Sequence, residues 1–191
     1  MAQLKSFNLL IAGVGGQGVV GLTKTIWRTA TQEKHPCRGS IFKGGAQSLG
    51  TVYSVIRIFE DVSAQEHFSH SLLPGDLDLL IGLEAWEALR YVHFCNRTTK
   101  MIVNEKVIPF WSERHEGAPK MDPLQKLKDL KQPFFSADFL TTAKKSDLGF
   151  EMAKKAIELG WLPIDLNIFK AQFQPVAEVP ALPVAQGNHS D

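Results

Sequence analysis

Apolar residues fall along this chain in two rhythms. Residues 7–13 (FNLLIAG) are apolar nearly throughout and stop at glycines, the pattern of a strand buried on both faces. From residue 19 the spacing lengthens: Val19, Leu22, Ile26 and Ala30 share one face at helical intervals and predict a helix over 19–34. Residues 51–59 (TVYSVIRIF) are rich in β-branched and aromatic types and end at the turn pair Glu60-Asp61. Residues 77–83 (LDLLIGL) and 100–104 (KMIVN) predict two more buried strands, with a helix over 84–94 between them. Asp122 followed by Pro123 predicts a capped helix start, and that helix runs to about residue 131 with Leu124, Leu127 and Leu130 facing inward. Residues 134–137 read as a short strand and 139–159 as a helix interrupted near Gly149, with Gly160 as its C-terminal cap. A last short helix covers 165–173. Residues 35–50, 61–76 and 109–120 lack a clear period and read as loop or irregular chain.

Strands alternating with helices imply an α/β, Rossmann-like fold: a mostly parallel sheet with helices on both faces. The strand at 51–59 has no helix before it, so it is expected to pair antiparallel. A single domain over 1–173 accounts for every element. Residues 174–191 carry Pro175, Pro180 and Pro183 among small residues and predict an extended or disordered tail.

Composition narrows the function classes. A chain of 191 residues with 44% hydrophobic and 21% charged residues can bury a full core without disulfide or metal staples. The formal net charge of +1 implies no nucleic-acid-binding field, and no apolar stretch reaches membrane-spanning length. Cys37 and Cys95 are the two cysteines and form no CxxC, so the chain cannot supply the four thiolates of an iron–sulfur cluster. The low cysteine count and the start MAQLKSFNLLIAG, which has no cleavage-site pattern, lead to the expectation of a cytoplasmic protein.

The first candidate site is the loop after the first strand. Gly13-Val14-Gly15-Gly16-Gln17-Gly18 fits GxGxxG with a strand before it and a helix after it. Glycines there allow a tight turn, close approach of a ligand to backbone, and close helix–strand packing. Amides at the helix start favour an anion such as a phosphate. The motif alone leaves a ligand-binding loop and a plain tight turn equally open. A nicotinamide dinucleotide needs an acid at the end of the second strand. Glu33 is the only acid near that place, and it lies at a helix end. No Gly-Lys-Ser/Thr follows the glycines, which excludes a P-loop.

Taken with two later blocks, this loop resembles the opening of the gamma-type domain of 2-oxoacid:ferredoxin oxidoreductases. The second block is Asp78-Leu79-Leu80-Ile81-Gly82-Leu83-Glu84 followed by Glu87-Ala88-Leu89-Arg90, similar to the family's strand ending in Gly-x-Glu and its Glu-Ala-Leu helix. The third is Val103-Asn104 followed by Ile108-Pro109, and the segment 69–75 (SHSLLPG) resembles the family's loop. The resemblance covers about residues 7–170, and a chain that opens directly on this domain is most similar to the beta subunits of the indolepyruvate branch, with the gamma subunits of the pyruvate and 2-oxoglutarate enzymes as close rivals. The chain departs from the family at two places. The family's Arg-Gly-Gly before the long strand is replaced by Gly44-Gly45-Ala46-Gln47-Ser48-Leu49-Gly50, without the arginine, and Ser146-Asp147-Leu148-Gly149-Phe150 replaces an asparagine-rich segment.

The resemblance implies a subunit that is not catalytic alone. A 2-oxoacid, coenzyme A and oxidised ferredoxin give an acyl-CoA, carbon dioxide and reduced ferredoxin. Thiamine diphosphate and iron–sulfur clusters are expected on a larger alpha subunit, since this chain has neither a Gly-Asp-Gly thiamine motif nor cluster cysteines. No cofactor is expected in this chain. Ferredoxin is met through the complex, and a homodimer is an arrangement open to the isolated chain. The candidate binding residues are Gly13, Gly15, Gly16, Gln17 and Gly18, with Gly45 and Gln47 in the departing loop, and Glu84 and Asn104 at strand ends. The glycine loop is the expected place for coenzyme A phosphates. Glu84 is equally readable as a helix cap, whereas Asn104 reads first as a local turn residue. His67 and His70 beside Glu66 have metal-ligand spacing, but no third ligand is specified and a solvated loop is the simpler reading. Cys37 beside Arg38 has no general base near it and reads as inert. Trp86, Trp111 and Trp161 are readable as core or interface. A free-standing nucleotide-binding protein and a non-catalytic assembly or regulatory domain are the competing readings.

Overall fold

The computed structural model describes residues 6–44, 50–63, 72–106, 121–141 and 147–173. Six strands form one sheet: β1 (Ser6–Val14), β2 (Cys37–Lys43), β3 (Thr51–Phe59), β4 (Leu77–Gly82), β5 (Cys95–Asn104) and β6 (Phe134–Ala137). Their order across the sheet is β2-β3-β1-β4-β5-β6. The α-helices that accompany them among the described residues include α1 (Val19–Gln32), α2 (Ala85–Arg90), α3 (Pro123–Asp129), α4 (Leu148–Glu158) and α5 (Leu166–Gln172). β1, β4, β5 and β6 run parallel, and β3 is antiparallel to both of its neighbours. The mostly parallel sheet with one antiparallel strand at 51–59 is therefore observed.

The alternation of side chains along β1 explains the two cores. Leu9 and Ile11 point to one face, where they meet Val19, Leu22 and Ile26 of α1, Met152 and Ala156 of α4, and Phe169 of α5. Leu10 and Ala12 point to the other, against Ala85 and Ala88 of α2 and Leu127 of α3. β1 is buried on both faces because a helix layer covers each, as parallel sheets require. The cover is unequal: α1 and α4 have 14 and 11 residues, whereas α2 and α3 have 6 and 7.

Capping fixes the helix starts. Asp122 Oδ1 accepts the amides of Leu124 and Gln125, and Asp165 Oδ1 those of Asn167 and Ile168. Gly160 ends α4 at φ +66°, a left-handed conformation that glycine adopts without strain.

Four expectations need correction. Residues 37–43 form the edge strand β2, inside the stretch read as loop. The helix expected over 84–94 stops at Arg90; a short 3-10 turn at Val92–Phe94 follows, and β5 begins at Cys95. The polar residues 96–99 lie where the β4–β5 register shifts. The Asn96 side-chain amide there donates to the carbonyl of Gly75. Of the helix expected over 139–159, Phe139–Thr141 form a 3-10 turn, Leu148–Glu158 form α4, and 142–146 lie outside the described residues; Gly149 is inside α4, where Leu22 packs 3.1 Å from the place of its Cβ. Leu130 is 42% exposed, since α3 has already ended at Asp129. The tail 174–191 and the irregular stretch 109–120 lie outside the described residues.

Candidate functional site

β1 feeds α1 on one face of the sheet, and β4 feeds α2 on the other. The two strands are parallel neighbours, so the crevice outside their carboxyl ends is a topological switch point, where open α/β sheets bind ligands. The glycine loop leaves β1 there, and Glu84 leaves β4 there.

The inner side of the loop is packed and hydrogen-bonded. Gln17 is 3% exposed. Its Oε1 accepts the Val14 amide at 2.8 Å, and its Nε2 donates to the Leu83 carbonyl at 3.3 Å. The same carbonyl accepts a longer contact, 3.5 Å, from Asn104 Nδ2. Asn104 is fully buried, and its Oδ1 accepts the Phe139 amide at 3.1 Å. The Leu83 amide donates to Ala12. Leu83 thus joins the ends of β1, β4 and β5, and two side-chain amides from separate motifs converge on its carbonyl oxygen. Gly13 makes room for this junction: a Cβ there would lie 2.8 Å from Gln17 Oε1 and 3.1 Å from Leu83 Cβ. Gly82 does the same for α2, since its Cβ would lie 2.5 Å from that of Ala88.

The outer side is different. Gly16 (φ +87°) has nothing within 4 Å of where a Cβ would sit. Gly18, at φ +85°, is the N-cap of α1 and offers no side chain to the first-turn amides. Those amides have no acceptor within the helix and point outward along its axis. Gly15 is tied down by its own amide, which donates to the Gly50 carbonyl at 2.9 Å. The loop therefore rests on Val14, Leu83 and Gly50 and presents Gly16 and the helix start to the crevice.

Glu84 is 2% exposed and extended, and its Oε2 accepts the Glu87 amide at 3.0 Å. It caps α2. Glu87 is also buried; Oε1 accepts the Thr51 hydroxyl at 3.2 Å, and Oε2 lies 3.4 Å from Arg90 Nε. Thr51 and Glu87 thereby tie the start of β3 to α2, a bridge that spacing alone does not reveal. Gly45, Gln47, Glu66, His67, His70 and Trp111 lie outside the described residues. Trp86 and Trp161 are half-buried.

Away from the crevice, burial dominates the ionisable groups. It pushes the Cys37 thiol up to about 11, reinforced by Glu33, and the Cys95 thiol up to about 12, opposed by a hydrogen bond with Thr99. Neither is poised as a thiolate. Four strand spacings of about 4.8 Å separate β2 from β5, which places the two thiols roughly 19 Å apart across the sheet and rules out a shared metal or cluster. Burial also raises the Asp78 carboxyl, against the Asn8 amide that it accepts. Among the described residues no group of three or more His, Cys, Asp or Glu is arranged for a metal ion, and no helix is long and apolar enough to cross a membrane.

Comparison with known proteins agrees with this architecture. A family model described as pyruvate ferredoxin/flavodoxin oxidoreductase matches residues 8–171. The chain is 26% identical over 157 residues to the indolepyruvate oxidoreductase subunit IorB of Pyrococcus horikoshii, covering 82% of this chain and 71% of that protein. It is 38% identical over 104 residues to the subunit of the same name from Archaeoglobus fulgidus, covering 53% and 48%. Among solved structures, the 2-oxoglutarate:ferredoxin oxidoreductase of Magnetococcus marinus, with 2-oxoglutarate, coenzyme A and succinyl-CoA bound, superposes with a TM-score of 0.63 at 12% identity. That match covers 89% of this chain and 27% of the other. Pyruvate oxidoreductase subunit PORC of Thermotoga maritima superposes with a TM-score of 0.51 at 14% identity, covering 88% and 91%. At these identities the structural likeness establishes the fold.

Proposed function

Because the chain belongs to the pyruvate ferredoxin/flavodoxin oxidoreductase family, we propose that it is the cofactor-free subunit of a cytoplasmic 2-oxoacid:ferredoxin oxidoreductase acting on indolepyruvate. The observation that carries this reading is the family match over residues 8–171 together with relatives named as indolepyruvate oxidoreductase subunits. The larger partner subunit holds thiamine diphosphate and the iron–sulfur clusters, which supply the decarboxylation and the electron path to ferredoxin. The two cysteines of this chain, four strands apart in the sheet, fall short of the four thiolates of a cluster and support that division of labour.

The role assigned to this chain is to complete the active-site surface and to hold coenzyme A phosphate at the outer side of the glycine loop. Three features support it: the position at the switch point, the uncapped start of a 14-residue helix, and open space at Gly16. Gln17, Glu84 and Asn104 serve this site indirectly by holding the loop and strand ends in place.

The test is purification of the tagged chain from its native cells without oxygen, with iron, thiamine and subunit identification. The expected result is a large subunit carrying both cofactors, and reduction of ferredoxin with indolepyruvate in preference to pyruvate and 2-oxoglutarate. A chain that emerges with neither iron nor thiamine overturns the proposal. For the phosphate role, the Gly16→Asp complex is expected to assemble normally and to show a KM for coenzyme A raised about tenfold or more, the equivalent of about 1.4 kcal/mol. An unchanged KM overturns it.

A further inference from the structure

β2 is the edge of the sheet: among the described residues no further strand pairs with its outer side. Its residues 39–43 give about 17 Å of backbone whose alternate N–H and C=O groups face outward. Unpaired edges in stable proteins are commonly shielded by charged side chains, proline, a bulge or a covering element, and of these β2 has the charge of Lys43 at its end. β2 has no proline, pairs with β3 in unbroken register, and exposes apolar side chains on both faces. On the α1 face, Ile41 and Gly39 form the floor of a groove of about 380 Å³ whose wall is Trp27. The absence of a side chain at residue 39 is required, since a Cβ there would lie 2.7 Å from the Val55 carbonyl and 3.0 Å from the Trp27 ring. On the opposite face Phe42, 43% exposed, stacks on Tyr53 at 4.5 Å and 11°, and Tyr53 packs on Tyr91. An added strand would therefore find backbone partners along residues 39–43 and an apolar seat above and below.

Charge selects the occupant. Lys24 and Arg28 line the groove, and Lys43 ends β2. α1, β2 and β3 contain no acidic residue; the acids nearest them in sequence are Glu33, Glu60 and Asp61. A second copy pairing edge to edge would bring two such cationic sets together, which like-charge repulsion disfavours. We propose that β2 receives an extended acidic segment of the partner subunit, added to the sheet as a seventh strand. One of its apolar side chains drops beside Trp27, and its carboxylates meet Lys24 and Arg28. This rests on the reading of the chain as a subunit of a larger complex.

A photo-cross-linking amino acid placed at position 41 (Ile41→benzoylphenylalanine) in the native complex tests it, with the same group at the exposed Leu159 as control. The expected result is a cross-link from position 41 to one stretch of the partner in which Asp and Glu outnumber Lys and Arg. The double variant Lys24→Glu, Arg28→Glu is expected to lower its yield about tenfold with the melting temperature of the chain unchanged. A cross-link to a second copy, to a neutral or basic stretch, or at no more than the Leu159 level overturns the proposal, as does a yield that charge reversal leaves unaltered. The two readings fail separately. A cofactor-bearing partner that co-purifies without cross-linking to position 41 removes the edge proposal alone. A cross-linked acidic partner without thiamine or iron removes the oxidoreductase reading alone.

Discussion

Gly13 and Gly16 lie in one loop three residues apart, and a methyl group added at each would meet opposite surroundings. At Gly13 it would strike Gln17 Oε1 at 2.8 Å and crowd Leu83 and Val19; at Gly16 it would meet nothing within 4 Å. The inner glycine exists because the loop is pressed against the end of β4 by the Gln17 side chain. The outer one exists because the backbone turns through φ +87° with open space beyond it. A glycine-rich loop of this kind therefore contains two jobs: one half builds the junction, and the other faces the crevice. A matched motif does not make each of its residues a ligand contact.

The largest effect is expected at the polar pin. Gln17→Leu keeps the volume but strands the Val14 amide and removes a donor from the Leu83 carbonyl, both buried, and should cost about 3 kcal/mol. Urea denaturation of the isolated chain measures it, and a loss below about 1 kcal/mol would show that the junction is held by packing alone. Gly13→Ala should cost about 2 kcal/mol by overpacking against the same amide. Combining Gly13→Ala with Gln17→Ala sharpens the comparison. Removing the Gln17 side chain clears the space that the new methyl group at position 13 needs, so the pair should cost less than the sum by about 1 kcal/mol. Strict additivity would mean that the clash is relieved elsewhere.

How much of this was legible in the sequence depends on which force left the mark. The α1 stripe Val19, Leu22, Ile26 and Ala30 was readable because that helix has one buried face and one wet one. The Asp122-Pro123 start and the Gly160 stop were readable because caps are chemical, local and position-specific. The direction of β3 followed from the missing helix before it. β2 was hidden because its inward positions include Gly39, where a side chain has no room, and its outward ones include exposed Ile41 and Phe42. Alternation cannot be seen where the buried position is empty and the edge is apolar on both sides. Leu130 failed for the opposite reason: the period continued past the end of the helix that had set it. In the site, Gly45 and Gln47 lie outside the described residues; that the other glycines, Gln17, Glu84 and Asn104 lie at strand ends was legible. The convergence of Gln17 and Asn104 on the Leu83 carbonyl was not, because the aim of an amide is set by three strand ends that meet only in the folded chain.

The outer glycine should respond more weakly. Gly16→Ala introduces no contact, so only the left-handed backbone is penalised, at about 1 kcal/mol. Stability loss at residue 16 that equals the loss at residue 13 would erase the distinction between the two sides of the loop. That result would mean the loop closes onto something at Gly16.

The smallest effect concerns the thiols and extends the contrast between what is packed in and what is presented. Burial holds Cys37 at about 11, against an ordinary value of 9.0. Below pH 9 both the native and the unfolded chain keep this proton, so the thiol adds no pH dependence there. Between pH 9 and 11 the unfolded chain releases the proton and the native chain retains it, so stability falls as pH rises through that window. Cys37→Ala should lower stability at neutral pH through lost packing and flatten part of the alkaline decline. Cys95, pushed up to about 12, and Tyr91, raised to about 12 by burial and Glu87, keep the remainder. Urea midpoints at about pH 8 and about pH 10 for the parent and the variant measure the difference of slopes. An unchanged slope would show that the Cys37 thiol reaches solvent in the native state, and native labelling by a thiol reagent near neutral pH should then be as fast as in urea.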